Sequence, residues 1–297
     1  MPKGIGPSRG KPLAYEPVNS RLRDIAAVNA RIVATGEYST PYGTVRVGPA
    51  LHAAMSGTVG HPPDGPLAPH PVGAGPSTRF RVTGEGSLQA ARRLSGSGPG
   101  TIAVLNFASA RNPGGGYLRG ARAQEEDLCR NSLLYPCLLR APDYYAAHRA
   151  GPDLLYSDRV IWSPDVPVHR DEHARLLDQP FPVSFLTCAA PNAGATLQRD
   201  PAAHGRIRET LRRRAGRVLT VAHHHGARRL VLGAWGCGVF RNDPREVAGA
   251  FHDHLAPDGP FAAAFEHVVF AIHDPSPDSP NRTAFTERFG AAEIGRR

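Results

Sequence analysis

From residue 101 onward, short uninterrupted apolar runs alternate with segments of helical period, and this alternation restricts the possible folds more than any other feature. Residues 101–105, 160–162, 183–187, 230–232 and 267–272 read as strands. Between them lie a helix starting near Gln124, a long helix striped by Ile207, Leu211, Ala215, Val218 and Ala222, and a helix that Pro244 opens at its favoured first position. A strand with no polar face needs cover on both sides, so the pattern predicts an α/β protein with three α/β/α layers.

The chain has 297 residues, enough for a proper core, and no repeat divides it. Upstream, Leu22, Ile25, Ala26, Ile32 and Val33 predict an N-terminal helix with Ser20 as its cap and Gly36 as its stop. Residues 43–47 and 79–83 read as strands, and Ser87 as the cap of a short helix through Leu94. The Pro/Gly-rich stretch 56–76 is expected to be a surface loop within one domain spanning 19–297, and residues 1–18 a poorly ordered tail. No apolar run has the length of a membrane span and the N-terminus lacks the hydrophobic core of a secretory signal, so a soluble cytoplasmic protein without membrane association is expected.

Cys129, Cys137, Cys188 and Cys237 show no Cys-x-x-Cys spacing, which argues against a zinc site or a disulfide framework. The run His223, His224, His225 looks metal-like, but consecutive helical side chains diverge, and a helix C-terminus favouring cations explains it better. No metal and no cofactor are expected. A formal charge of +9 and a pI near 9.9 permit a polyanionic partner. Lys3 and Lys11 are the only lysines, however, and the excess of Arg, Ala, Gly and Pro fits a genomic base composition equally well.

Two segments carry chemistry. In residues 111–126, Asn112 precedes Gly114, Gly115 and Gly116, and a short spacer leads to Gln124, Glu125 and Glu126. Glycines let backbone N–H groups approach a phosphate or sugar closely, while two adjacent carboxylates at a helix start are a setting for a general acid. An Asn-Pro turn and a solvated acidic first turn are the plainer readings. In the second segment, Gly236, Cys237, Gly238, Val239 and Phe240 follow the strand at 230–232, and alternating glycines would let successive amides wrap a diphosphate without a lysine. The absence of Gly-x-x-x-x-Gly-Lys argues against an NTPase. Both segments follow strand carboxyl ends, where open α/β sheets bind ligands, and Asn192 follows another such strand and is a further candidate.

The triple glycine followed by Gln-Glu-Glu resembles the signature of poly(ADP-ribose) glycohydrolases. The stretch from Glu125 to Pro136, the Trp162-Ser163-Pro164-Asp165-Val166-Pro167 segment and the Gly236-Cys237-Gly238-Val239-Phe240 loop are similar to the microbial branch of that family. The resemblance implies a macrodomain-like fold with a mixed sheet and an N-terminal helical extension. It further implies hydrolysis of ribose–ribose O-glycosidic bonds in poly(ADP-ribose) to release ADP-ribose, with ADP-ribosylated proteins as partners and no direct nucleic-acid binding. By resemblance Glu126 is the acid and base, Glu125 holds substrate hydroxyls and raises the proton affinity of Glu126, Gln124 positions the pair, and Phe240 packs on the distal ribose. A hydrolase of mono-ADP-ribosyl linkages and a non-catalytic ADP-ribose-binding macrodomain are the alternatives, and a mere reader has no use for the carboxylate pair.

Overall fold

The computed structural model describes residues 18–68, 77–276 and 278–290. In chain order the elements are α1 (Val18–Thr35), β1 (Glu37–Thr40), β2 (Gly43–Arg46), α2 (Gly48–Ser56), β3 (Val59–His61), β4 (Arg79–Thr83), α3 (Ser87–Ser95) and β5 (Thr101–Phe107). After β5 come α4 (Gln124–Asn131), α5 (Leu134–Leu138), α6 (Pro142–Ala150), β6 (Val160–Arg170), β7 (Leu176–Cys188) and α7 (Ala193–Arg199). The last elements are α8 (His204–His224), β8 (Ala227–Leu232), α9 (Pro244–Leu255), β9 (His267–Ala271) and α10 (Pro280–Phe289).

Seven strands form one mixed sheet in the order β3-β6-β7-β5-β8-β9-β4. β7, β5, β8, β9 and β4 run parallel, β6 opposes β7, and β3 opposes β6. Alternate side chains of each central strand enter opposite layers. Ala103 and Leu105, Leu230 and Leu232, and Val268 and Phe270 pack with Leu211, Val218 and Phe251 of α8 and α9. Ile102 and Val104, Val231, and Val269 pack with Leu94, Leu128 and Tyr145 of α3, α4 and α6. The unbroken apolar runs are thus strands with helices on both faces.

The structure revises three local expectations. The helix α1 begins at Val18, so Ser20 lies inside its first turn and does not cap it. Ser87 is the first residue of α3 and Gly86 its cap, with the Gly86 N–H donating to Gln89 Oε1 at 2.7 Å. Within the Pro/Gly-rich stretch, Val59–His61 adds the edge strand β3 to β6, a place where flanking prolines are tolerated because one side of the strand needs no partner. Residues 69–76 of that stretch, and the expected tail apart from Val18, lie outside the described residues. Arg217 of α8 ties the described part of the stretch down, donating to the carbonyls of Gly65 at 3.0 Å and Pro62 at 2.5 Å.

Candidate active site

β5 and β8 are neighbours, so the loops that leave their carboxyl ends stand side by side over one edge of the sheet. The β5 loop carries the three glycines and leads into α4, whose first turn holds Glu125, Glu126 and Asp127. Gln124 fixes where that helix begins. Its Oε1 accepts the N–H of Phe107 at 2.9 Å, and its Nε2 donates to the Leu105 carbonyl at 2.8 Å and to Ser87 Oγ at 3.1 Å. The amide therefore bolts α4 to the end of β5, with both its oxygen and its nitrogen engaged by the protein.

The acidic first turn is not a solvated helix start, since Glu125 is 2% exposed and Glu126 8%. Glu125 Oε2 accepts the Ser109 N–H at 2.7 Å and Oε1 faces Asn106 Nδ2 at 3.3 Å. Burial pushes the Glu125 carboxyl up to about 8, against the pull of the Ser109 N–H, the Asn106 amide and the Gly114 N–H, while the neighbouring Glu126 adds to the rise. Glu126 is held differently. Its Oε1 accepts the Gly116 N–H at 2.8 Å, and its Oε2 is buried with no hydrogen-bond partner among the described residues.

The triple glycine does something the sequence reading did not anticipate. Its N–H groups, expected to meet a ligand, turn inward: Gly114 toward Glu125, Gly116 to Glu126, and Gly115 to the Asn112 carbonyl at 3.0 Å. Gly114 and Gly115 have φ of 66° and 58°, and a Cβ on Gly115 would run into the Glu126 carboxylate and lie 3.1 Å from Glu125 Oε2. The glycines are required because two carboxylates pack against bare backbone. Asn112 itself is exposed at the start of the turn, its N–H bonded to Ser109 Oγ at 3.2 Å.

The β8 loop keeps its donors available. The N–H groups of Gly236, Gly238, Val239 and Phe240 have no protein acceptor among the described residues, and Val239 is 85% exposed. Gly236 has φ of 72°, and Asn242 staples the loop by donating from Nδ2 to the carbonyls of Gly236 at 3.0 Å and Pro191 at 2.8 Å. Such a curl of unpaired N–H groups is an anion-binding concavity. Cys237 is half-buried, and burial pushes its thiol up to about 12, so it contributes a small side chain and no nucleophile. Phe240 is half-buried, its ring 6.0 Å from that of Tyr156, and both Tyr156 and Arg241 adopt positive φ at 60° and 55° beside it.

A cleft of about 750 Å³ borders the pair through Ala123 and Gln124 and runs over Phe107, Ala234, Ile272 and His273, with Asp127 and Arg122 also on its wall. Glu125 and Glu126 do not line it themselves, nor do Asn112, the three glycines or the loop from Gly236 to Phe240; of the expected site residues, Gln124 does. Sequence reading missed Asn106, Asn242, Ile272 and His273. The last two were findable, because they follow a strand carboxyl end, whereas the roles of the asparagines depend on contacts across the fold. Asn192 is no cleft residue: it caps α7, its Oδ1 accepting the Ala195 N–H at 3.1 Å. His225 stacks on Trp162 with ring centroids 4.5 Å apart and pairs with His61 at 2.9 Å between Nε2 atoms, away from the carboxylates.

A mixed seven-stranded sheet covered on both faces, with two glycine loops over its carboxyl edge, is a macrodomain-like fold, and the buried glutamate pair beneath one loop marks a glycosidase of that class. Residues 26–171 match the family model for the microbial-type PARG catalytic domain, PARG being poly(ADP-ribose) glycohydrolase. The chain belongs to this family. The X-ray structure of poly(ADP-ribose) glycohydrolase from Thermomonospora curvata is 47% identical, with a TM-score of 0.86 over 91% of this chain and 100% of that one. The same enzyme bound to the inhibitor ADP-HPD is 46% identical over the same shares, with a TM-score of 0.83. The Deinococcus radiodurans enzyme in complex with ADP-ribose is 44% identical, with a TM-score of 0.73 over 82% of this chain and 98% of that one. No curated protein sequence matches the chain.

Proposed function

We infer that the chain hydrolyses the ribose–ribose O-glycosidic bonds of poly(ADP-ribose) and releases ADP-ribose. The observation that carries this reading is Glu126, a buried carboxylate with one oxygen pinned by the Gly116 N–H and the other without a partner among the described residues, in the first turn of the helix whose Gln124 lines a cleft of ligand size. In a glycosidic cleavage Oε2 of Glu126 gives a proton to the departing ribose oxygen, then takes one from the water that attacks the anomeric carbon. Glu125 lies close enough to hold a ribose hydroxyl while keeping its own proton in the neutral range. The N–H groups of Gly236, Gly238, Val239 and Phe240, without a protein acceptor among the described residues, suit the diphosphate, whose own charge steadies the ribosyl cation. Phe240 supplies a wall for the distal ribose, and the apolar floor of Phe107, Ala234 and Ile272 suits a purine.

The natural substrates on this reading are proteins carrying the polymer. The four cysteines are free, which suits a reducing compartment, and the proposal places the enzyme in the cytoplasm. The test is incubation with an automodified acceptor and, separately, with a mono-modified one, followed by chromatography of soluble products and gel analysis of the acceptor. Free ADP-ribose from the polymer with the last protein-linked unit left in place is expected. Equally fast removal of that last unit would favour a mono-ADP-ribosyl hydrolase, and binding without release a reader.

A further inference from the structure

Behind Glu125, away from the cleft, lies a polar pair that the reaction does not touch. Asn106 of β5 and Thr187 of β7 are register partners in the sheet, and both are completely buried. Asn106 Nδ2 stands 3.3 Å from Glu125 Oε1 and donates to Thr187 Oγ1 at 3.1 Å. In this orientation Asn106 Oδ1 has no partner, and the Thr187 hydroxyl proton goes to no acceptor among the described residues. A buried amide in the centre of a sheet is costly, and here it is the nitrogen, with two acceptors, that offsets the cost.

The Asn106 NH2 group carries two hydrogens, enough for one to each acceptor, and the bond to Thr187 Oγ1 fixes the amide so that the other hydrogen points at Glu125. With its N–H inward it serves a carboxylate, since both oxygens of Glu125 then accept. We propose that Asn106, tethered by Thr187, is a positioning residue of this site, its amide N–H holding Oε1 of Glu125 and favouring the ionised carboxylate.

The surroundings agree with a Glu125 that works in both states. Burial carries its carboxyl up to about 8, so it is protonated at neutral pH. The titratable groups around it are Glu126 and Cys129 on its own helix and Tyr144 and Tyr145 on α6, and burial pushes the thiol and both phenols up, so they stay neutral. Glu126 is the one charge that presses on it. Burial and Glu126 favour the protonated form of Glu125 and the Asn106 amide the ionised one, so the amide limits how far the midpoint rises.

This inference rests on Glu125 and Glu126 being the reacting pair, which polymer hydrolysis by the unaltered protein tests separately. The deciding measurement is the titration of the Glu125 carboxyl by carbon NMR in the full chain, with the pH profile of kcat beside it, for N106L, T187V and T187S. Loss of the amide deprives the ionised form of its nearer side-chain donor, so the N106L midpoint is expected to rise by about one unit, a tenfold gain in proton affinity. T187V is expected to move the same way by less, T187S to coincide with the unaltered protein, and the kcat profile to follow the midpoint. If N106L does not fold, the contrast between T187V and T187S decides. Midpoints and profiles that coincide in every folded variant, with only the melting temperature lowered, would reduce the pair to packing and overturn the proposal.

Discussion

Glu125 and Glu126 are adjacent in sequence and have opposite assignments because of what faces each oxygen. Both oxygens of Glu125 meet N–H groups, whereas Glu126 keeps Oε2 unpartnered. For E126Q, turnover is expected to fall by about 10³-fold, the scale of a lost general acid and base, while calorimetry finds ADP-ribose affinity little changed. A parallel loss of binding would make Glu126 a structural residue. G115A puts a Cβ where the carboxylates lie and forces an L residue to φ of 58°, so it should cost about 1–3 kcal/mol in denaturant unfolding and remove most activity. Glu125 also sets a pH dependence. Its folded value near 8 lies above the usual 4.5, so the native state holds a proton that the unfolded chain has given up, and stability falls as pH rises through that window. E125Q should flatten this slope, so that urea midpoints of variant and parent diverge progressively between those two pH limits.

The site elements are held by polar staples at their ends. α4 has no side-chain cap at Ala123, and Gln124 instead fastens its first turn to β5, while the acidic first turn suits the helix dipole. In the β8 loop two adjacent residues divide the work. Asp243 caps α9, its carboxylate accepting the Arg245 N–H at 2.8 Å, and Asn242 shapes the loop through Gly236 and Pro191. D243A is therefore expected to cost about 1 kcal/mol of stability with KM unchanged. N242A is expected to raise KM severalfold as the diphosphate donors lose their shape. Steady-state kinetics and thermal melts on the same two preparations check both, and a reversed pattern would mean that the cap, not the staple, positions the loop.

For the whole molecule, the buried charge that matters most is Arg214 of α8, which is 0% exposed. It pairs with Asp158 at 2.8 Å and donates to the carbonyls of Leu155 at 2.7 Å and Ala189 at 2.9 Å, joining the helical layer to the segments before β6 and after β7. R214A leaves two carbonyls without their donor while Asp158 keeps Arg213 as a partner, so unfolding experiments should show a loss of about 1–3 kcal/mol for each carbonyl stranded. The exposed pairs along the same helix, such as Arg208 with Glu246 and Arg212 with Asp253, add little. What the sequence by itself determined is the layered α/β architecture and the two glycine segments, because apolar periodicity and backbone freedom are local properties that a short window contains. The alternation of Ile102 and Val104 with Ala103 and Leu105 between the two buried layers is of this kind. Only the tertiary structure decided where each donor points. That the Gly114 and Gly116 N–H groups face the carboxylates, that Asn106 stands between Glu125 and Thr187, and that Asn242 shapes the loop while Asn192 caps α7 all depend on the register of strands and helices far apart in the chain. A one-residue shift of that register would send every one of those side chains elsewhere.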